Sequence, residues 1–187
     1  MDNNNNTGFG VAGMDHTCCI IGQRPQELIW RFNEEDPRCV KFKNLLRQQI
    51  EHMIVTYGVT RFLTGLERGA ETYAAEIILD LKRNYPITLE CVLANEDMRN
   101  DWLEEECDRF YDIIVRADKE YLLEGHASED SMAKRNRFMV SRSHYVLVIS
   151  DGKKGDVMEA GIYAYRNNRY VLTVNPQSFY SSPLISV

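Results

Sequence analysis

Residues 145–152 read YVLVISDG, an apolar run that is rich in β-branched side chains and ends in a polar turn. A short continuous apolar run bounded by turn residues is typical of a strand buried on both faces. We therefore predict a strand over 145–149 and a turn at Asp151-Gly152. Because parallel sheets are the ones covered on both faces, this stretch favours a sheet with a helix layer on each side.

Apolar strands and amphipathic helices alternate on both sides of this run. Gly58 follows a long apolar stripe at the position of a helix C-cap glycine, and Pro86 marks the end of another helix. The predicted strands cover 18–21, 61–64, 88–93, 117–122 and 170–174, and the predicted helices cover 42–57, 70–81, 101–115, 132–142 and 157–166. With right-handed crossovers, this alternation predicts an α/β fold: a Rossmann-like, doubly wound, mainly parallel sheet with helices on both faces.

The length of 187 residues suits one domain with a full core. Residues 1–15 are rich in Asn and Gly and nearly lack apolar side chains, so we predict a disordered tail there. The rest, residues 16–187, is predicted to form a single ligand-binding domain. No apolar run approaches the roughly 20 residues that span a bilayer, and the N-terminus lacks a secretory pattern, so we expect a cytoplasmic protein with no membrane partner.

The net charge, the cysteines and the histidines argue against several classes of function. The net charge of −6 argues against a general nucleic-acid binder, which needs a basic surface to neutralise phosphates. The five cysteines contain no C-x-x-C pair and are expected to be buried, reduced thiols. The four histidines show no ligand spacing, so we predict no metal site and no required cofactor.

Ligands of doubly wound sheets bind beyond the carboxyl ends of the strands, which directs attention to the strand-to-helix junctions. At the first junction, Gly22 allows close backbone approach and Arg24 could bind a phosphate or carboxylate. The alternative is a tight turn with a solvated arginine. At the second, Thr64, Gly65, Arg68, Gly69 and Glu71 lie at a strand end and helix start, where free N–H groups favour anions.

The second junction matches neither a G-x-G-x-x-G motif nor a P-loop. Its two glycines could equally serve turn formation and close packing, with Glu71 stabilising the helix start. The third region, KRNRFMV over 134–140, places Arg135 on one predicted helix face and Asn136 on another. A solvated basic face is the alternative there.

At the fourth junction, Gly152 and Gly155 form a flexible loop and Asp156 is a candidate N-cap. Glu159, on the first helical turn, could contact a sugar hydroxyl or merely complement the helix dipole. The four junctions together suit a phosphate plus a ribose. No Ser/His/Asp or Cys/His arrangement accompanies them.

Three motifs in this order resemble the YpsA-like branch of the SLOG superfamily: CCIIGQRP at 18–25, TGLERGAETYAAE at 64–76, and RNRFMV at 135–140 ahead of YVLVISDG. The superfamily also contains the DprA/SMF proteins and the LOG phosphoribohydrolases. The resemblance covers about residues 17–175. It implies a Rossmann-like fold that binds a nucleotide-type ligand, such as ADP-ribose or an NAD-related molecule, as a sensor or regulatory module, and it leaves a homodimer open.

The resemblance also implies a set of contact residues and an alternative activity. The implied ligand contacts are Gly22, Arg24, Thr64, Gly65, Arg68, Gly69, Glu71, Arg135, Asn136, Gly155 and Glu159. In LOG enzymes the residues matching Arg135 and Glu159 act on an N-glycosidic bond, so a nucleoside monophosphate hydrolase with these two catalytic residues is the alternative. Asp156 stands at the LOG threonine position and Gln23 at a YpsA histidine position, which weakens the match. A protein-interaction scaffold is the third reading.

Overall fold

A computed structural model describes residues 15–185 and places six parallel strands in one sheet. The strands are β1 (Thr17–Gly22), β2 (Arg61–Thr64), β3 (Thr88–Asn95), β4 (Lys119–Glu124), β5 (Tyr145–Ile149) and β6 (Tyr170–Val174). Their order across the sheet is β4-β3-β2-β1-β5-β6, and every neighbouring pair is parallel. The predicted fold class is confirmed.

Five helices cover the two faces of the sheet. They are α1 (Pro37–Tyr57), α2 (Ala70–Leu81), α3 (Glu104–Arg116), α4 (Ser131–Ser141) and α5 (Asp156–Arg166). Cys18 and Ile20 of β1 pack in the core layer with α1, α2 and α3, whereas Cys19 and Ile21 pack in the layer with α4 and α5. Two-sided burial explains why the strands read as continuous apolar runs.

Strand order creates a switch point beside β1. The chain winds from β1 through β2 and β3 to β4, then returns to place β5 on the other side of β1. Because the loops after β1 and β5 leave in opposite directions, a crevice opens at the carboxyl ends of these strands. Any ligand of this fold is expected there.

Some local predictions require correction. Gly155, not Asp156, is the N-cap of α5, and Asp156 is its first residue. The third helix begins at Glu104 instead of residue 101. Asn136, predicted on a face apart from Arg135, is buried together with it, because the two side chains hydrogen-bond each other.

Three further expectations concern the N-terminal tail, membrane crossing and the cysteines. The predicted tail, apart from Asp15, lies outside the described residues. Within residues 15–185, none of the helices combines the length and the apolarity that a membrane crossing needs. Four of the five cysteines are buried and all five are free thiols.

Candidate functional site at the carboxyl edge of the sheet

The loops after β1 and β2 are held against each other at the switch point. A Cβ on Gly22 would lie 2.7 Å from the Cβ of Ala70, and a Cβ on Gly69 would lie 2.9 Å from the carbonyl oxygen of Gln23. Gly69 also has a φ of 87°, which side chains rarely tolerate. The Ala70 N–H donates to the same Gln23 carbonyl at 3.1 Å. Both glycines are therefore required by close packing of the two loops.

The buried Glu71 side chain holds these two loops together through hydrogen bonds. Its carboxylate accepts the backbone N–H of Gly22 and of Glu67, each at 3.2 Å. It also accepts Nη2 of Arg135 at 3.0 Å. Burial raises the pKa of Glu71, and the nearby Glu67 adds to that effect, while the Arg135 charge opposes it. The Glu71 carboxylate therefore already accepts the N–H groups of Gly22 and Glu67, which are not free to bind an anion.

Arg135 has one donor group without a partner in the described part of the chain. Its residue exposure is only 1%. Nε and Nη2 donate to Oδ1 of Asn136 at 3.2 and 2.9 Å, but Nη1 is buried without a hydrogen bond. The guanidinium lies directly against Gly65, where a Cβ would come within 2.2 Å of Nη1. Gly65 therefore makes the space that the buried arginine fills.

All four predicted segments contribute to one small cleft of about 30 Å³, here called the rim cleft. Its lining consists of Gly22, Arg24, Glu27, Glu67, Met132, Arg135, Asn136, Asp156 and Val157. Arg24 sits between two carboxylates, 3.8 Å from Glu67 and 3.7 Å from Asp156. The rim is consequently acidic, with guanidinium groups set among carboxylates. Such carboxylates can accept hydrogen bonds from sugar hydroxyls.

Two larger cavities share walls with the rim cleft. The outer pocket, of about 540 Å³, shares Arg24, Glu27 and Glu67 with it and continues to Arg68 and Trp102. The α4–α5 groove, of about 360 Å³, lies on the other side. Its lining is Ala133, Asn136, Arg137, Asp156, Glu159, Ala160, Ile162, Tyr163 and Arg166, of which Asn136 and Asp156 also line the rim cleft. Both larger cavities therefore adjoin the rim cleft through shared residues.

The predicted contact residues fall into groups. Gly22, Arg24, Arg135 and Asn136 line the rim cleft, and Thr64, Gly65 and Glu71 lie buried beneath it. Thr64 is fixed by its Oγ1, which accepts the Leu66 N–H at 3.2 Å.

The other four predicted contacts do not line the rim cleft. Arg68 and Gly69 line a third cavity of about 570 Å³, and Glu159 lines the α4–α5 groove. Gly155 lines none of these cavities, so its part in ligand contact stays a prediction.

Sequence reasoning missed several polar residues of this edge. Gln23 is buried and bridges the β1 and β5 loops: its Nε2 donates to Asp151 at 3.0 Å, and its Oε1 accepts the Asp151 N–H at 3.2 Å. Glu67 was passed over although it lies inside the quoted TGLERG motif. Its place beside the arginine and the two glycines of that motif was the signal that could have identified it.

These observations define a Rossmann-like α/β domain with a polar cleft at its switch point. The chain belongs to the YpsA family of SLOG proteins, since the model described as the YspA SLOG family matches residues 18–174. A UPF0398 protein of Lactobacillus acidophilus is 25% identical over 134 residues, 71% of each chain. A UPF0398 protein of Enterococcus faecalis is 32% identical over 93 residues, 49% of this chain and 51% of that protein. The predicted resemblance is confirmed.

Solved structures of DNA processing protein A show the same fold. The protein from Helicobacter pylori, described for its single-stranded DNA binding mode, aligns with a TM-score of 0.55 at 13% identity over 86% of this chain. The Streptococcus pneumoniae protein aligns with a TM-score of 0.55 over 84% of this chain. The present chain spans only 65% and 49% of those two chains.

Proposed function

We propose that this protein binds a nucleotide-derived ligand at the rim cleft and acts as a sensor or regulatory module. ADP-ribose, an NAD-like molecule and a nucleoside phosphate are the ligand types that suit the site. The observation that carries the proposal is Arg135, which lines the cleft while its buried Nη1 has no hydrogen-bond partner among the described residues. Leaving such a group unsatisfied costs about 1–3 kcal/mol, so an acceptor on a ligand would bind there favourably.

The mixed charge of the rim favours a ligand with both hydroxyl and anionic groups. Glu67 and Asp156 can accept hydrogen bonds from a ribose, while Arg24 and Arg135 can donate to its oxygens or to a phosphate. A free phosphate would be opposed by the carboxylates of the rim. A nucleoside-containing molecule satisfies both sets of groups.

The geometry supports binding more strongly than it supports hydrolysis. Arg135 lines the rim cleft and is tied to Glu71 and Asn136, whereas Glu159 is exposed in the α4–α5 groove. A pair that acts on one glycosidic bond has to reach the same atoms. LOG-like hydrolysis therefore stands as the alternative activity to test.

A thermal-shift panel with AMP, NAD and ADP-ribose tests the proposal. At 100 to 1,000 times Kd, a ligand stabilises the folded state by about 2.7–4.1 kcal/mol and raises Tm. We expect at least one member of the panel to do so, and Arg24→Ala to reduce the shift. Arg24 is half-exposed and its ion pairs are long, so the variant is expected to fold. Arg116→Ala, an exposed arginine paired within α3, is the matched control.

Absence of a shift with every nucleotide would overturn the proposal. Chromatography of the same mixtures tests the alternative: release of free base or ribose phosphate that Glu159→Ala abolishes would establish a hydrolase. A single-stranded oligonucleotide should be added because a structural neighbour binds single-stranded DNA. With a net charge of −6, we expect little binding of it at physiological salt. The homodimer stays a prediction.

A further inference from the structure

The rim cleft cannot hold a whole nucleotide. Its volume is about 30 Å³, whereas small-molecule pockets are typically about 300–1,000 Å³. Most of a nucleotide ligand therefore has to lie in a cavity that adjoins the cleft. The outer pocket and the α4–α5 groove both share walls with the cleft and are large enough. Their charges decide which of them receives the anionic end of the ligand.

Arginines of the rim cleft and outer pocket are already paired with carboxylates. Arg24 lies near Glu67 and Asp156, as described above. Arg68 donates from Nη1 to Glu106 at 3.0 Å and lies 3.4 Å from Asp101. An incoming phosphate would have to compete with these carboxylates for the guanidinium groups and would be repelled by them.

The α4–α5 groove contains two arginines with no such competition. Arg137 and Arg166 are exposed, and within residues 15–185 neither side chain forms a hydrogen bond or an ion pair. The Arg137 guanidinium lies 5.8 Å from the ring centre of Tyr163, which also lines the groove. In a chain with a net charge of −6, two unpaired guanidinium groups in one groove are a distinct feature.

Charge changes sign along the groove. Asp156 and Glu159 lie on the first turn of α5, next to the rim cleft, whereas Arg166 is the last residue of that helix. Arg166 lies ten positions after Asp156 in the helix, a rise of about 15 Å. The end near the rim therefore suits hydroxyl donors, and the far end suits an anion.

We propose that the phosphoryl group of the ligand binds between Arg137 and Arg166 in the α4–α5 groove, while the sugar lies at Asn136 and Asp156. This assignment rests on the proposed nucleotide binding and specifies where the anionic part of the ligand goes. Guanidinium groups bind phosphate oxygens through paired, charge-assisted hydrogen bonds. Among the described residues, no carboxylate is paired with either arginine and would have to be displaced first.

Isothermal titration with adenosine, AMP and ADP-ribose tests the assignment, because the first probe lacks the phosphoryl group. In the double variant Arg137→Gln/Arg166→Gln, we expect affinity for AMP and ADP-ribose to fall at least about tenfold. Affinity for adenosine should not change. The control, Arg142→Gln/Arg116→Gln, removes two exposed arginines outside the groove and should leave all three affinities unchanged. Both double variants change only exposed side chains and are expected to fold.

The outcomes separate the two proposals. If AMP or ADP-ribose binds the wild type and the groove variant equally well, the phosphoryl assignment is wrong while nucleotide binding stands. If none of the probes binds the wild type, nucleotide binding fails and the assignment fails with it. If the groove variant loses affinity for a single-stranded oligonucleotide but not for the small probes, the groove serves a different ligand and the assignment is overturned.

Discussion

At the scale of the residue, Arg135 shows what the sequence could and could not reveal. The sequence pattern predicts its helix and its place ahead of a strand, and the family resemblance implies that it contacts the ligand. The burial of Arg135 could not be predicted from the sequence, because a solvated basic face fits the periodicity equally well. The charge is buried because Glu71, 64 residues away in the chain, supplies the opposite charge. Such long-range compensation leaves no mark on local periodicity.

The contact between Gly65 and Arg135 gives a prediction at this scale. Gly65→Ala would push a methyl group into the guanidinium and break its bonds to Glu71 and Asn136. Disrupting a buried ion pair in this way is expected to lower the free energy of unfolding by about 3 kcal/mol. Denaturant titration measures it. Gly125→Ala, where nothing lies near the added methyl, is the control and should change stability little. Equal stability of the two variants would show that Arg135 has room to move.

At the scale of the element, boundaries were predictable where the local signals were strong. The strands 61–64, 145–149 and 170–174 and the helix 70–81 match the structure residue for residue. Glycine, proline or polar turns bound each of them. The start of α3 was placed three residues early because the apolar pattern extends back to Trp102, which packs on the core before the helix begins. The wrong face for Asn136 has a different origin: its Oδ1 accepts hydrogen bonds from the Arg135 side chain, and the two residues are buried together.

Two glycine substitutions test how the elements pack, and we expect them to change stability in opposite directions. Gly22→Ala would press a methyl group to 2.7 Å from Ala70 and force β1 and α2 apart, with an expected loss of about 1–3 kcal/mol. Gly161→Ala lies inside α5, where the nearest contact would be an ordinary 3.4 Å from Val148. Since alanine favours a helix interior over glycine, we expect a gain of about 0.5–1 kcal/mol. Thermal unfolding of both variants decides, and a loss in Gly161→Ala would contradict the packing described.

Asp118 lies just before β4 at the sheet edge, and we expect its carboxylate to make the stability of the protein depend on pH in the acid range. Its Oδ2 accepts the Leu89 N–H at 2.8 Å and Nζ of Lys82 at 2.6 Å. Partial burial disfavours its charge, but Lys82 and the Leu89 N–H outweigh this and hold the pKa of Asp118 below its ordinary value. A lowered folded pKa stabilises the protein above the unfolded pKa of about 3.9, and that contribution is lost as the pH falls through the folded value.

We therefore expect Asp118→Asn to be less stable than wild type by about 1 kcal/mol at pH 7. The gap should close as the pH falls below about 4. Urea titrations between neutral and acid pH measure it. Asp108→Asn, an exposed position on α3 without hydrogen bonds or ion pairs in the described chain, serves as the control. A gap that stays constant down to the lowest pH would contradict the coupling.

At the scale of the whole molecule, strand order positions the site more than any single motif does. The alternation of elements predicts a doubly wound sheet, and the observed strand order places the loops after β1, β2 and β5 together. The predicted segments from four junctions line one rim cleft for this reason. Its acidity was not predicted, because Glu67 and Asp156 come from separate junctions and meet only across the switch point.

The central claim is that the switch-point cleft and the adjoining α4–α5 groove hold a nucleotide. A crystal structure of the protein soaked with ADP-ribose tests it most directly. We predict density for a ribose against Asn136 and Asp156, an acceptor near Nη1 of Arg135, and a phosphoryl group between Arg137 and Arg166. Density for ADP-ribose on another face of the molecule, with the rim cleft and groove free of it, would contradict the account.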